Sequence, residues 1–304
     1  MIFCDLNIPY PIVEPKATPV GNVAREQLTD VITKCFDLGY QLVALNQTIV
    51  DAPSKAKPVV IRPCPVVSST HGNVTRGQND VSATRQSGLA FAKRVTDTKS
   101  IYQLKRLTVI TSDARVNYEL SNPTEITKEY DILAVQPTTE DTFRLACGTY
   151  NIDLIALDLS KKLPFYFKMN SVNQAIERGI YFEICYSAAM KDNVSRRNLI
   201  SNAMSLCRAT RGRNIIISSE ARRPLEVRSP YDIVNLGTLF SLNQDRAKHA
   251  LTTCPRAVLY RCETRLFAFR SAILTDTDVT ANPRKRKPDQ GPSEPMSLKK
   301  ARDA

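Results

Sequence analysis

The chain holds only two histidines, His71 and His249. A catalytic metal centre usually draws on several histidines with carboxylates at fixed spacing. His71 sits in an irregular stretch and His249 in a predicted surface helix, so the two cannot build a multi-metal cluster. The sequence also lacks His-Glu-x-x-His, Gly-x-Ser-x-Gly and Gly-x-x-x-x-Gly-Lys-Ser/Thr. The zinc-peptidase, serine-hydrolase and P-loop chemistries fall with them. Polar residues do stand where apolar strands end: Asp5 and Asn7, Asn46, Ser112 and Asp113, Gln136, Asp158, Tyr186 and Ser187, Ser218 and Ser219. A parallel barrel places its working groups there. Ser, Asp and Asn at such boundaries are also ordinary helix N-caps, and both roles stay open. A carboxylate-only Mg²⁺ site through Asp5, Asp113, Asp158 or Glu183 is compatible with the sequence, but nothing singles it out. The expectation is no metal and no cofactor.

Basic residues give the stronger signal. In the predicted helix 192–210, Arg197 and Arg208 stand eleven residues apart, about three turns, and share a face. Leu199 and Leu206 project to the other side. Arg196 falls nearer the apolar side, in the first turn, where a cation opposes the helix dipole. Asp192, an RNA phosphate or a partner carboxylate would neutralise it. Lys191 precedes this helix, and Lys168 closes the word Leu163-Pro164-Phe165-Tyr166-Phe167-Lys168. Further on, Arg222-Arg223-Pro224-Leu225-Glu226-Val227-Arg228-Ser229-Pro230 follows a strand end. The two prolines stiffen the loop and hold Arg223 and Arg228. A fixed guanidinium suits bidentate contact with phosphate or carboxylate. Internal pairs, Arg228 with Glu226 or Arg223 with Asp232, are the plainer alternative. The aromatic triplet Phe165-Tyr166-Phe167 fits either base stacking or a core or protein interface.

Elements must position these groups. Short apolar runs predict strands at 2–5, 42–46, 107–111, 131–135, 153–157, 181–185 and 213–218, with a weaker one at 257–260. Helical patterns lie at 21–38, 114–121, 139–149, 171–178, 192–210, 230–240 and 243–252. In the first, Val23, Leu28, Val31, Ile32, Cys35 and Leu38 follow the helical period, and Gly39 caps it. Strands alternating with helices imply parallel pairing through right-handed crossovers. Seven or eight such units favour a closed or nearly closed barrel. A doubly wound sheet competes, but its glycine-rich first turn is missing.

Charge and composition narrow the partners. The 304 residues carry a net charge of +12, which suits an acidic partner. Residues 51–106 hold ten Lys/Arg against three acids, 191–228 nine against three, and 281–304 seven against three. A single basic run is often a solvated face; three in one chain ask for more. Residues 51–104 are rich in Pro, Ser, Thr, Gly and basic residues, and an insert this long within a compact domain is either functional or disordered. The tail after about 270 has four prolines and blocks of charge and is expected to be disordered. Within it Arg284, Lys285, Arg286 and Lys287, then Lys299 and Lys300, fit a bipartite nuclear import signal or a nonspecific nucleic-acid tail. The eight cysteines form no Cys-x-x-Cys and read as reduced core residues of an intracellular protein. No leader peptide is expected ahead of Ile2-Phe3-Cys4. No apolar stretch approaches the roughly 18 residues of a membrane span, so no membrane partner is expected. The sequons at Asn46, Asn73 and Asn193 are expected to stay unused.

Assembled, these words resemble the family of thirty-kilodalton protein subunits of eukaryotic ribonuclease P and ribonuclease MRP. The likeness runs over about residues 1–270 and rests on Phe3, Asp5 and Leu6, Leu38-Gly39-Tyr40, Asn46, Arg106-Leu107-Thr108, Tyr130-Asp131, Leu163 to Lys168, Ala175 to Gly179, Lys191-Asp192, Arg223 to Asp232 and Asn235-Leu236-Gly237. Leu-Pro-Phe-Tyr-Phe-Lys and Arg-Pro-Leu-Glu are its specific parts. The resemblance implies a TIM-like (β/α) barrel related to the polymerase-and-histidinol-phosphatase fold, without catalysis of its own. It implies support of a catalytic RNA that removes the 5′ leader of precursor tRNA, and a role in ribosomal RNA processing by the MRP particle. It implies other protein subunits as partners, including a small ferredoxin-like one. The phosphatase enzymes carry a His-x-His pair where this chain reads Asp5-Leu6-Asn7. Ser229 stands where the family pattern has Gly, and the loop turn is expected to differ there.

The expected organisation is a barrel over 1–270 with the basic insert near 51–104, followed by the tail 271–304. The expected role is a non-catalytic subunit of ribonuclease P and MRP in the nucleus and nucleolus. Lys168, Lys191, Arg196, Arg197, Arg223 and Arg228 are its candidates for contact with the catalytic RNA or an acidic partner. Precursor tRNA would be met indirectly. The competing readings are a metal-dependent barrel phosphoesterase and a nuclear protein-binding adaptor without RNA contact.

Overall fold

A computed structural model describes residues 2–11, 19–51, 61–64, 101–113, 118–121, 125–269 and 272–273. Among them seven strands run in chain order around a TIM-like barrel: β1 (Phe3–Pro9), β2 (Tyr40–Val50), β3 (Tyr102–Thr111), β4 (Ile132–Pro137), β5 (Leu154–Ala156), β6 (Tyr181–Cys185) and β7 (Ile215–Ser218). Every neighbouring pair is parallel. No ladder joins β7 to β1; the seam is bridged by Glu220 N donating to Asn7 O at 2.9 Å. The helices are α1 (Pro19–Asp37), α2 (Glu125–Lys128), α3 (Glu140–Gly148), α4 (Met169–Glu177), α5 (Ala188–Lys191), α6 (Asn193–Thr210), α7 (Pro230–Leu239), α8 (Gln244–Leu251) and α9 (Thr253–Phe267).

Alternation along each strand sorts side chains into two cores. Val43, Leu45, Leu107, Val109, Leu133, Val135, Ile155, Phe182, Ile184, Ile215 and Ile217 point outward, into the layer shared with the helices. Cys4, Leu6, Leu42, Ala44, Ile132, Ala134, Leu154 and Ile216 point inward. In β1 the register slips between Asp5 and Ile8. This bulge lets Leu6 and Asn7 both reach the interior, and it puts Ile8 in the outer layer.

The weak strand expected at 257–260 is instead part of α9. The apolar run Ala257-Val258-Leu259-Tyr260 hid a helical spacing. Val258, Leu259 and Cys262 occupy one face and pack into the inner core against Cys4, Leu42 and Leu154. A buried Val or Leu contributes about 1.5–3 kcal/mol, so this helix is a plug for the N-terminal end of the barrel. Arg265 fastens it: Nε bonds both oxygens of Asp153, at 3.2 and 3.0 Å, and Nη2 donates to Asp131 O at 2.9 Å. Arg261 adds a bond from Nε to Ile152 O at 3.0 Å.

The strand expected at 107–111 begins earlier, at Tyr102, so the end of the stretch read as an insert belongs to β3. Residues 118–121 form a 3₁₀ turn; the rest of the helix expected at 114–121 lies outside the described residues. So do most of the insert and the tail from residue 274 on with its import signal; at the start of the tail, which was expected to be disordered, Ala272–Ile273 instead pair antiparallel with Ala268–Phe269. All eight cysteines are free, and only Cys254 is not fully buried.

Candidate nucleic-acid interface

Inside the barrel, inward positions change character toward the C-terminal ends of the strands. Leu42 and Ala44 give way to Asn46, and Leu104 to Arg106 and Thr108. Tyr181 gives way to Glu183 and Cys185. Arg106 is 0% exposed, and a buried charge must be paired and hydrogen-bonded. Its Nη1 and Nη2 donate to the two Glu183 oxygens, each at 2.6 Å. Nη1 also reaches Leu6 O at 2.7 Å, and Nε reaches Thr108 Oγ1 at 3.1 Å. Thr108 donates to Asn46 Oδ1 (2.7 Å), Asn46 Nδ2 to Asn7 Oδ1 (2.8 Å), and Asn7 Nδ2 back to Glu183 Oε2 (3.3 Å). The ring is closed. Burial alone would lower the Arg106 pKa; the charge and hydrogen bonds of Glu183 reverse that and hold it above its ordinary value.

The strand-end carboxylates are occupied in other ways too. Asp5 Oδ1 accepts from Asn7 N at 3.2 Å and Ser219 N at 3.1 Å, while Oδ2 is buried without a partner. Burial pushes the Asp5 pKa up to about 6, against the pull of those hydrogen bonds. Asp158 accepts from Ser160 N and pairs with Lys161 at 3.3 Å. Asp113 is exposed at the rim. Among the described residues no group of three His, Cys, Asp or Glu could hold a metal. Glu183 is committed to a guanidinium, so it is free neither to ligate a cation nor to act as a base.

The six cations named from sequence all lie in segments that follow β5, β6 or β7, the C-terminal end of the barrel. Lys168 pairs with Glu140 at 2.5 Å, both side chains well exposed, a contact worth little. Lys191 ends α5 near the half-buried Glu220. Burial pushes the Glu220 pKa up, Glu183 adds to this, and Lys191 draws it back. Arg196 is not on the apolar side as expected. It is exposed and folds back over the α5–α6 junction, donating from Nε to Ala189 O at 2.8 Å and from Nη1 to Asn193 Oδ1 at 3.3 Å. Asp192 is taken up by the N-cap, accepting from Ser195 N at 2.6 Å. Arg197 and Arg208 are exposed and Leu199 and Leu206 buried, as their spacing requires.

The loop after β7 is held from beneath. Ala221 and Val227 are buried. Tyr40 Oη donates to Arg228 O, and Arg228 N donates to Tyr186 Oη, each at 3.1 Å. Pro224 opens a 3₁₀ turn and Pro230 opens α7. The internal ion pairs weighed for this loop do not form: Glu226 Oε2 accepts from Arg222 N at 2.8 Å instead, and no salt bridge among the described residues involves Arg223 or Arg228. Leu225 between them is 83% exposed. Ser229 has φ −65° and caps α7 through Asp232 N, so no left-handed residue is needed where the resemblance implied a glycine. The aromatic triplet divides: Phe165 stacks on Phe143 at 4.9 Å and Phe167 meets it edge-on at 5.8 Å, while Tyr166 is 91% exposed.

Sequence reasoning passed over the Arg106–Glu183 pair and the arginines of α9. The signal for the first was present: Arg106 and Glu183 interrupt alternating apolar strands at positions where the neighbours face inward.

Comparisons with known proteins agree with this geometry. The mouse (Mus musculus) protein named ribonuclease P protein subunit p30 is 38% identical over 243 residues, covering 80% of this chain and 83% of that protein. The Saccharomyces cerevisiae protein named ribonuclease P/MRP protein subunit RPP1 is 27% identical over 271 residues, covering 89% and 84%. A chain of the cryo-EM structure of archaeal ribonuclease P with mature tRNA shares the fold, with TM-score 0.57 and 12% identity, covering 91% of this chain and 99% of that one. The family described as RNase P subunit p30 matches residues 2–266, and the chain belongs to that family.

Proposed function

We propose that this protein is a non-catalytic subunit of a ribonuclease P particle that binds the catalytic RNA and partner subunits, and that it serves the MRP particle as well. It would thereby support tRNA 5′-leader removal and ribosomal RNA processing. The observation that carries the reading is the division of charge within one barrel. Inside, Arg106 and Glu183 are locked to each other, and among the described residues Arg197, Arg223 and Arg228 outside pair with no carboxylate. A barrel built this way contributes shape and positive charge. Phosphate contacts dominate RNA affinity and need no base reading. Lys168, Lys191, Arg196, Arg197, Arg223 and Arg228 are the candidates for contact with the RNA or an acidic subunit. A small ferredoxin-like subunit is the expected protein partner. The barrel would occupy 1–270 with its basic insert near 51–104, and the tail 271–304 would carry the import signal to the nucleus and nucleolus.

Pulldown of the tagged full chain with sequencing of the bound RNA tests this. The expected result is recovery of the ribonuclease P and MRP RNAs, weakened by salt and by the double substitution Arg223→Glu/Arg228→Glu. Recovery of protein partners with no RNA would favour an adaptor. Phosphodiester cleavage by the isolated polypeptide would defeat the reading outright.

A further inference from the structure

Helix α6 has a second charged end, which the family likeness does not mention. It runs from Asn193, beside Lys191, to Thr210, and its 18 residues span about 27 Å. Its C-terminal turn leads into β7, so this end lies at the N-terminal face of the barrel, opposite Arg196 and Arg197. Arg208, Arg211 and Arg213 are all exposed here within six residues, and Arg246 of α8 joins them.

Arg246 has a structural task. Its Nη1 donates to Arg211 O, and it lies so close to Gly212 that a Cβ there would meet Nη1 at 2.6 Å. The turn is fixed by two left-handed residues, Arg211 (φ 54°) and Gly212 (φ 67°). The guanidinium groups of Arg208, Arg211 and Arg213 make no hydrogen bond or ion pair among the described residues, and Asp245 beside Arg246 pairs with none of them. Cations near a helix C-terminus gain from its dipole, but that gain is under about 1 kcal/mol per charge at the surface. It does not call for this many at one turn, where each repels the others. The apolar neighbours Leu206, Cys207, Leu242 and Ala247 are buried. The patch therefore offers charge without the exposed apolar or aromatic core of a protein interface, unlike the Leu225 loop. That favours a phosphate backbone over an acidic protein.

We infer that Arg208, Arg211 and Arg213 form a second RNA-backbone site, and that the barrel is a brace between two RNA segments held roughly 16–22 Å apart along α6. This rests on the RNA-binding reading above. The brace explains how a subunit without catalysis could affect a catalytic RNA: it fixes a distance between two of its segments.

The test uses the full chain with its own ribonuclease P RNA made by transcription, titrated over a range of KCl, with backbone footprinting at one salt concentration. Arg208→Glu/Arg213→Glu is compared with Arg196→Glu/Arg197→Glu and with the wild type. Each pair should weaken binding by at least about tenfold and lower the salt slope by about two, one per arginine. Each should erase a different protected RNA segment while leaving the other. The milder Arg208→Gln/Arg213→Gln should fall between, with an unchanged melting temperature. If the Arg208/Arg213 variants keep wild-type affinity, slope and footprint while the Arg196/Arg197 variant does not, the brace is wrong and RNA binding survives. If they release a protein subunit from the particle with the footprint intact, the patch is a protein site and the inference is wrong. If the wild type shows no salt-dependent binding, the RNA-binding reading itself fails and the brace with it.

Discussion

The upper interior of the barrel and its outer ends use the same side chain in opposite ways. Arg106 is completely buried, and its guanidinium spends its donors on Glu183, Leu6 and Thr108. Arg197, Arg208, Arg223 and Arg228 are exposed and have no carboxylate partner among the described residues. The difference teaches where function can live in this protein. Charge that is paired within the chain holds the structure and has nothing left for a ligand. Charge left unpaired in water costs little, and it is available. An enzyme barrel would reverse this, with reactive groups unpaired inside.

The contrast can be broken most severely at its centre. Arg106→Ala leaves Glu183 buried without a cation, and denaturant titration should show a loss of about 3–5 kcal/mol. Arg106→Met with Glu183→Leu should recover most of it, because no lone charge then remains. A double variant no more stable than Arg106→Ala would mean that the ring through Asn7, Asn46 and Thr108 needs the ions.

Asp5 probes the interior by pH. Its carboxyl is raised from 3.8 to about 6, so the folded state holds the proton more tightly than the unfolded state. The resulting stability is present below about pH 4 and lost as pH rises through about 6. Between pH 4 and pH 7.5 the wild type should lose roughly 2–3 kcal/mol relative to Asp5→Asn. The difference between the two proteins isolates this group from Asp158 and Asp192, whose lowered pKa values act in the opposite sense. Parallel stability curves for the two would show that Asp5 does not titrate in this range.

The boundary between the regions is the pair Tyr40 and Tyr186, buried groups that support an exposed loop. Tyr186→Phe removes the acceptor of Arg228 N and should cost about 1 kcal/mol. Amide exchange should quicken at Arg228 and Val227. Exchange unchanged there would mean that Pro224 and Pro230 suffice to hold the loop.

At the surface the expected stability effect is smallest. Arg197→Gln and Arg223→Gln should each stay within about 0.5 kcal/mol of wild type while weakening RNA binding in a salt-dependent way. A large loss of stability in either would place that arginine with Arg106, among the structural cations.

Much of the frame was legible along the chain. Seven strand runs match β1 to β7 because burial on both faces leaves a short, dense apolar signal. Helix α6 was readable from Leu199 and Leu206 against Arg197 and Arg208. The failures are equally physical. Ala257 to Tyr260 resembles a strand because four consecutive apolar residues do not reveal their period; the face that decides it, Val258 with Leu259 and Cys262, is defined only by the barrel end it plugs. Angle alone puts Arg196 on the apolar side, but its long side chain turns back to the Ala189 carbonyl. Among the site residues, types and neighbourhoods were readable, whereas partners were not.

Composition and periodicity by themselves determined that this is an alternating α/β chain, poor in histidine and rich in cations near its loops. Those properties are local, fixed by neighbouring residues and by the bonding capacity of each side chain. Tertiary structure alone decided which charges are spent. Arg106 and Glu183 are 77 residues apart, and they meet because parallel strand register and barrel curvature bring inward positions of β3 and β6 to the same depth. Whether an arginine is a structural bolt or a free hand depends on what stands opposite it, and that is set by the closing of the barrel.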